Sequence, residues 1–402
     1  MKIVEINSGN FGSTGTIMLL IKDEAILRGH EVTLCYPSTR TSIKKFVDDV
    51  LFIGNRYSRN LGLRMAALLG TAKFSHTYTT LKLIKQLKKI NPDIVHIHNL
   101  HPSYLNIPLF FKYLNRSSAK TVWTLHDCWP FTGHCPHFEY IGCAKWKVLC
   151  KECPLHKEYP ASWIDDSTRM HLLKKDSTVS FHKLTIVTPS VWLARYVKQS
   201  FLGNKRIEII NNGIDLSVFK PTSSNFKDIN GLSNKKIVLG VSFGWNNKKG
   251  LDVFIELSRK LPDSYKIVLV GTTSDIIPML PSSIFAIERT SNQKELAEIY
   301  SAAFVFVNPT REENFPTVNM ESLSCGTPVI TFKTGGSSEI IDDKTGVVVG
   351  ENSTEAIFQA IISTPENKYN RQDCVKRARE LYSTKLMTQR YFELFEQLIN
   401  EK

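Results

Sequence analysis

Two glutamates, Glu313 and Glu321, stand eight positions apart in the segment NPTREENFPTVNMESLSCGTPVITFKTGG, residues 308–336. Pro316 lies between them, where a loop would turn into a helix, and Gly326, Thr327 and Pro328 stand where that helix would close. Proline is favoured at the first helical position and glycine just past the last. The expected order is loop, helix, turn and a buried strand over 329–332. A helix N-terminus carries unpaired N–H groups and a partial positive charge, which seat a phosphate. Here that seat lies between two carboxylates able to hold hydroxyl groups. Phosphate-binding amides beside hydroxyl-binding acids suggest a nucleotide sugar.

Further residues extend this chemistry. Lys248 and Lys249 sit in the loop GWNNKKG, 244–250, after a buried apolar strand over 236–241. Two lysines there suit a diphosphate, each acting as a point charge. Strands over 93–98 and 121–125 end in His98-Asn99 and His126-Asp127. In open parallel sheets, ligands bind beyond those carboxyl ends, which favours His126 as a functional residue. An early loop carries Gly9, Gly12 and Gly15. That spacing is not the dinucleotide pattern, so it reads either as a phosphate cradle or as a tight turn for close helix–strand packing.

Five of the eight cysteines fall within 128–153: Cys128, Cys135, Cys143, Cys150 and Cys153. Clustered cysteines in a cytosolic chain read as metal ligands before disulfides. Cys135, Cys143, Cys150 and Cys153 could form a closed tetrahedral structural zinc site. The alternative is a set of buried or loosely paired thiols.

The elements that must position these groups follow a β/α rhythm. A strand over 3–6, the glycine loop, a helix over 16–27 and a strand over 31–36 open a doubly wound α/β domain. The rhythm restarts at 236, after a Ser-, Asn- and Gly-rich stretch over 222–234 that marks a domain boundary. Helical patterns at 353–362, 370–382 and 385–400 close the chain. At 402 residues, two domains are the default.

Charge is lopsided. Residues 1–200 hold 27 Lys+Arg against 14 Asp+Glu, and residues 201–402 hold 24 against 24. A basic half attracts anionic partners, though a solvated basic face is the plainer account. The stretch 55–70 places Leu61, Met65, Leu68 and Leu69 on one helical stripe flanked by Arg56, Arg59 and Arg64. It reads as a core helix or as an interfacial helix touching anionic lipid. The N-terminus turns polar after six residues, unlike a signal peptide, and no apolar run approaches the roughly 20 residues of a membrane span. The expected location is cytoplasmic, with peripheral contact at the inner face of the plasma membrane as its extension.

Together these motifs resemble the retaining glycosyltransferases of family 4, and more closely the bacterial members that build capsule, exopolysaccharide or O-antigen. The resemblance covers nearly the whole chain. It rests on Glu313-Asn-Phe-Pro-Thr-Val-Asn-Met-Glu321, Ser324-Cys-Gly-Thr-Pro-Val329, Pro189-Ser190, Asn212-Gly-Ile-Asp215 and Phe219-Lys-Pro221. The early glycine loop, Gly29-His30-Glu31-Val32 and His126-Asp127 also fit. The resemblance implies a GT-B fold: two Rossmann-like domains facing across a cleft, with the C-terminal helix crossing back to the first. The expected bounds are 1–221 for an acceptor-binding domain carrying the Cys-rich insertion 128–153, 222–384 for a nucleotide-sugar-binding domain, and 385–402 for the returning helix.

By the same resemblance, Glu313 and His126 are the catalytic residues. Glu313 would lie near the reacting carbon, and His126 would hydrogen-bond the donor sugar. Glu321 would bind the ribose hydroxyls, and the amides of Phe315, Pro316, Thr317 and Val318 mark the stretch that holds sugar and phosphate. Lys249 would neutralise the diphosphate, with the Gly12 loop completing the donor site. Relatives carry an arginine where this chain has Phe243, which leaves Lys248 as the nearest second cation.

The implied reaction moves a sugar, with retention, from a UDP- or GDP-sugar to a glycan or polyprenyl-diphosphate-linked acceptor. No Asp-x-Asp triplet occurs, so no cofactor is expected for catalysis. An epimerase or phosphorylase on the same fold is the nearer alternative, although such enzymes lack this Glu-x7-Glu form. A nucleic-acid-binding protein is the remoter one. Its bases are not interleaved with aromatics as a stacking platform needs, so no nucleic acid is expected.

Overall fold

The computed structural model describes residues 1–39, 41–42, 47–54, 76–101, 104–365 and 368–401. The chain divides into two compact units, one of Met1–Ile210 with Thr388–Lys402 and the other of Asn211–Met387.

The first unit is built on a parallel sheet of β1 (Lys2–Ile6), β2 (Glu31–Tyr36), β3 (Val50–Phe52), β4 (Ile94–Ile97), β5 (Lys120–Thr124), β6 (Leu184–Thr188) and β7 (Arg206–Ile209). Its order is β3-β2-β1-β4-β5-β6-β7. β4 and β6 are buried along their whole length, as expected of parallel strands covered on both faces. Phe110, Phe111, Trp123 and Phe181 are fully buried in its core. Side chains of that size each contribute about 1.5–3 kcal/mol by leaving water.

The second unit repeats the plan with β8 (Lys236–Val241), β9 (Tyr265–Val270), β10 (Ile284–Ile287), β11 (Val305–Asn308), β12 (Val329–Phe332) and β13 (Gly346–Val349), in the order β10-β9-β8-β11-β12-β13. Apolar clusters lie on both faces of this sheet. Each sheet has one point where the strand order reverses, between β1 and β4 and between β8 and β11. Doubly wound sheets bind ligands there.

The units divide at 210/211, eleven residues before the expected 221/222. The intervening segment is held by the second unit. Ile214 bridges Ser383, and its N–H donates to Tyr382 O at 2.8 Å. Phe219 packs in the second unit's core, and its carbonyl accepts a hydrogen bond from Ser324 Oγ. Within the Ser-, Asn- and Gly-rich stretch expected to mark the domain boundary, Phe226 is buried in the same core. At the other end, the helix Thr384–Asn400 joins the first unit from Thr388. Its Tyr391 hydroxyl lies 3.0 Å from Thr124 Oγ1, and Arg206 Nη1 donates to Glu401 Oε1 at 2.6 Å. The returning helix expected from the resemblance is present.

The first helix, Gly12–Leu27, starts one turn earlier than the apolar pattern suggests, because its first turn is made of the small residues of the glycine loop. β3, β13 and the helix Ile107–Arg116 are not legible from the sequence pattern. The stretch 55–70, with Leu61, Met65, Leu68, Leu69, Arg56, Arg59 and Arg64, lies outside the described residues. Among the described residues, no helix is long and apolar enough to cross a membrane.

Candidate functional site

In the second unit the loops after β8 and β11 are clamped together at the strand-order reversal. Gly250 has φ +77°, and a Cβ there would lie 2.5 Å from Pro309 Cγ, so only glycine permits this approach. Arg311 completes the clamp. Its backbone N–H donates to Lys248 O at 2.8 Å, and its guanidinium binds Asp252 through two bonds of 2.8 Å. The clamp sets both lysines against carboxylates. Lys248 Nζ lies 3.1 Å from Glu312 Oε2, and Lys249 Nζ donates to Glu313 Oε2 at 2.9 Å.

Glu313 is held from two further directions. Its Oε1 accepts the Asn314 N–H at 3.1 Å. From the loop after β12, Gly335 presses on its carbonyl: with φ +54°, an added Cβ would stand 1.9 Å from Glu313 O. The next N–H, of Gly336, donates to Asn314 O at 2.7 Å.

The helix expected after Pro316 runs from Thr317 to Ser324. Pro316 is its N-cap, in extended conformation, rather than its first helical residue. A proline has no side-chain oxygen to cap with, and no side-chain cap bond is made. Phe315 is buried, while Thr317 and Val318 are half-buried in the first turn. Glu321, one turn on, accepts the Tyr300 hydroxyl at 3.2 Å. Burial pushes its carboxyl up to about 7, against the pull of hydrogen bonds from Tyr300 and Thr317. Phe243, where the resemblance implies an arginine, is fully exposed. Ser242 and Gly244 beside it add no charge, so the cations gathered at this loop are Lys248, Lys249 and Arg311.

In the first unit the strand-order reversal gathers a second polar set. Asn7 ties the end of β1 to its loop, donating to Gly9 O at 2.9 Å and accepting the Ser8 N–H at 2.8 Å and the Asn99 N–H at 3.3 Å. Gly12 takes φ +69° at the helix start. A Cβ on Gly15 would lie 2.5 Å from the Asn10 carbonyl carbon, so the close-packing reading holds for that glycine.

His126, at the end of β5, has Nε2 2.9 Å from His98 Nδ1. His98 in turn meets Glu5 Oε2 at 2.8 Å, and His96 meets Glu5 Oε1 at 3.0 Å. Burial raises the Glu5 carboxyl, but the two imidazoles overcome it and hold the pKa at about 2. Burial, with His98 beside it, holds His126 well below the usual imidazole range. Asp127 does not contribute its carboxylate to this set. It accepts the Trp129 N–H at 2.8 Å and lies 2.7 Å from His101 Nε2, so it fixes the following turn.

Glu5 and Glu312 are members of these sets that sequence reasoning passed over. The available signal for Glu5 was a carboxylate inside the apolar strand KIVEI. Glu312 was overshadowed by its neighbour Glu313.

The four cysteines expected to bind zinc lie around one buried patch. Cys135 lies beside Cys153, and Cys150 Sγ accepts the Gly133 N–H at 3.1 Å. Amide donors of this kind suit thiolate ligands. In a tetrahedral zinc site the sulfurs lie about 3.8 Å apart, set by Zn–S bonds of about 2.3 Å. Among the described residues, the group of three metal-capable side chains with ligand atoms within 4.8 Å of one another is instead Glu5, His96 and His98.

Residues 15–218 match the family model described as Glycosyltransferase Family 4, and residues 223–381 match the one described as Glycosyl transferases group 1. WcaC of Escherichia coli (strain K12), a glycosyl transferase named for colanic acid biosynthesis, is 25% identical over 348 residues, which are 81% of this chain and 80% of WcaC. A GDP-mannose-dependent phosphatidylinositol monomannoside mannosyltransferase of Mycolicibacterium smegmatis is 27% identical over 195 residues, 42% of this chain and 51% of that one. Among solved structures, sucrose-phosphate synthase from Thermosynechococcus elongatus superposes with a TM-score of 0.73 at 16% identity, covering 100% of both chains. HepE of Anabaena, solved with UDP, gives 0.69 at 14% identity, covering 99% of this chain and 100% of HepE. Both units thus have the fold of GT-B glycosyltransferases.

Proposed function

This chain belongs to glycosyltransferase family 4, and on that premise we propose that it moves a sugar from a nucleotide sugar onto a glycan or polyprenyl-diphosphate-linked acceptor during synthesis of a cell-surface polysaccharide. The observation that carries the proposal is the Lys249–Glu313 pair beside the start of the helix Thr317–Ser324. A cation for a diphosphate and a carboxylate for a sugar are gathered where a doubly wound sheet binds ligands.

The reaction proceeds by displacement at the anomeric carbon. An acceptor hydroxyl oxygen forms the new bond on the face that the leaving group quits. The bond to the phosphate oxygen breaks with its electron pair, and the hydroxyl proton passes to that phosphate. Lys249 and the amides of Phe315, Thr317 and Val318 stabilise the departing charge, because fixed donors cost no reorganisation as the charge develops. Pro316 has no amide proton and contributes the turn. Lys248 assists after exchanging Glu312 for phosphate. Glu313 orients the transferred sugar, Glu321 takes the ribose hydroxyls, and His126 and the Gly12 loop contact the donor sugar and its phosphates. UDP and GDP are both compatible with these roles. HepE, solved with UDP, and the GDP-mannose-dependent relative support the two choices.

The acceptor's lipid carrier accounts for one surface feature of the first unit. The helix Thr77–Ile90 exposes Lys82, Lys85, Lys88 and Lys89 together with Tyr78 and Leu81. Bases flanking exposed apolar side chains suit the headgroup region of an anionic membrane.

The test is Glu313→Ala with release of nucleoside diphosphate as the readout. The variant should melt as the parent does, since Glu313 lies in a loop, and should lose turnover. Near-parental turnover would sink the assignment.

A further inference from the structure

Behind His126 runs a buried row of polar groups that dictates which hydrogen-bonding face its ring offers. Glu5 stands opposite His96 in the pairing of β1 with β4, and both are fully buried. A carboxylate has no proton to give, so the ring nitrogens that meet it, His96 Nδ1 and His98 Nε2, must both donate. His96 turns its other nitrogen to Thr124 Oγ1 at 2.8 Å, and that hydroxyl meets Tyr391. His98 turns its other nitrogen to His126 Nε2 at 2.9 Å. Both carboxylate oxygens and all four nitrogens of the two inner rings are thereby used in hydrogen bonds, which accounts for the cluster without a metal.

The His98–His126 contact is head-on. The two rings are 11° from coplanar with centroids 5.3 Å apart, the N···N distance plus about two ring radii. The line between the nitrogens therefore lies in both ring planes, where an N–H and a lone pair point. A neutral His98 carries its one proton on Nε2, spent on Glu5, so its Nδ1 is an acceptor and His126 Nε2 must donate to it. A neutral imidazole against a buried carboxylate is the arrangement of the Asp–His pair in serine proteases. It agrees with burial, helped by His96, holding His98 down at about 4 against the pull of Glu5.

We propose that Glu5 and His98 are positioning residues which, through two successive hydrogen bonds, fix His126 as the Nε2–H tautomer and make its Nδ1 the acceptor for a hydroxyl of the transferred sugar. This rests on the role given to His126 in the transfer reaction, but the tautomer can be read with no sugar present.

The experiment is long-range proton–nitrogen NMR on the full chain labelled with nitrogen-15 at histidine, near neutral pH and without nucleotide sugar. His98 and His126 should both show a protonated Nε2 and a bare Nδ1. A protonated Nδ1 on His126, or an imidazolium at either ring, overturns the proposal. In Glu5→Gln one of the two acceptors becomes an amide donor, so His98 is no longer held to one tautomer. His126 should then lose its single Nε2–H signature and show a mixture. Retention of the single form overturns the part assigned to Glu5. Thr124→Val cuts the other arm, at His96, and should leave the His126 signature unchanged; a change there overturns the route through His98. If Glu5→Gln fails to fold, the parental spectrum decides alone. Correct tautomers in a protein that binds no nucleotide sugar would separate failure of the transferase reading from failure of this one.

Discussion

Replacing Glu321 with glutamine should stabilise the second unit at pH 7 and above while weakening nucleotide binding. Glu321 has its carboxyl pushed by burial from an ordinary 4.5 up to about 7. A folded pKa above the unfolded value means that the contribution to stability is complete below about pH 4.5 and is lost as pH rises through 7. The full loss is about 3 kcal/mol, because each pKa unit is worth about 1.4 kcal/mol. On a unit of this size that is about 6–12 °C of melting temperature. Glutamine keeps an acceptor for the Tyr300 hydroxyl, whose bond to Glu321 is 3.2 Å, and cannot ionise. Thermal melts of parent and variant should nearly coincide at pH 4, separate progressively as pH rises from about 4.5 to 7, and keep that separation above pH 7, the variant being the more stable. The same variant should bind nucleotide more weakly, since a carboxylate accepts two ribose hydroxyls where an amide accepts one and donates into the other. Parallel melting curves across this range would refute the assignment of a raised carboxyl at Glu321. Undiminished nucleotide binding would refute its role at the ribose.

Three other outcomes follow from the same geometry. Gly335→Ala places a Cβ 1.9 Å from Glu313 O, so the loop must move; turnover should fall about 100-fold, as for a misplacement of about 1 Å, with a smaller effect on melting. Zinc at Cys135, Cys143, Cys150 and Cys153 remains a proposal; metal analysis of reduced protein should find about one zinc per chain, lost on Cys150→Ser with Cys153→Ser, and zinc-free parent protein leaves the thiols as packing groups. Reversing Lys82, Lys85, Lys88 and Lys89 to glutamate should abolish co-sedimentation with vesicles containing acidic lipid and leave the melting temperature near the parent's; equal sedimentation with and without acidic lipid would dismiss the membrane surface.

The grouping of Glu313, Pro316 and Glu321 with the two lysines was largely legible in the sequence because its parts are contiguous. Glu313, Pro316 and Glu321 fall on one loop and one helix, and the lysines fall on one loop after a buried strand. Local turn and helix chemistry is enough to place such residues. The network behind His126 was not legible, because it is assembled across the sheet. Glu5 on β1, His96 and His98 at β4, Thr124 on β5 and Tyr391 on the last helix meet only through strand order and register. A single carboxylate in an apolar strand says that a partner exists but not which one. The point at which packing divides the two units was not legible for a related reason. Composition marked 222–234 as the boundary, whereas Ile214 and Phe219 bury their side chains in the second unit and bring 211–221 into it as well. The one-residue shift at Pro316 reflects chemistry that fits either side of a helix start.

The most direct test of the account is a thermal-shift screen of UDP- and GDP-sugars against the parent protein. A donor present at about 100 times its dissociation constant should add about 2.7 kcal/mol of stability. One nucleotide class should raise the melting temperature in the parent and fail to do so in Lys249→Ala. A parent indifferent to every nucleotide sugar, or a shift that survives in Lys249→Ala unchanged, would contradict it.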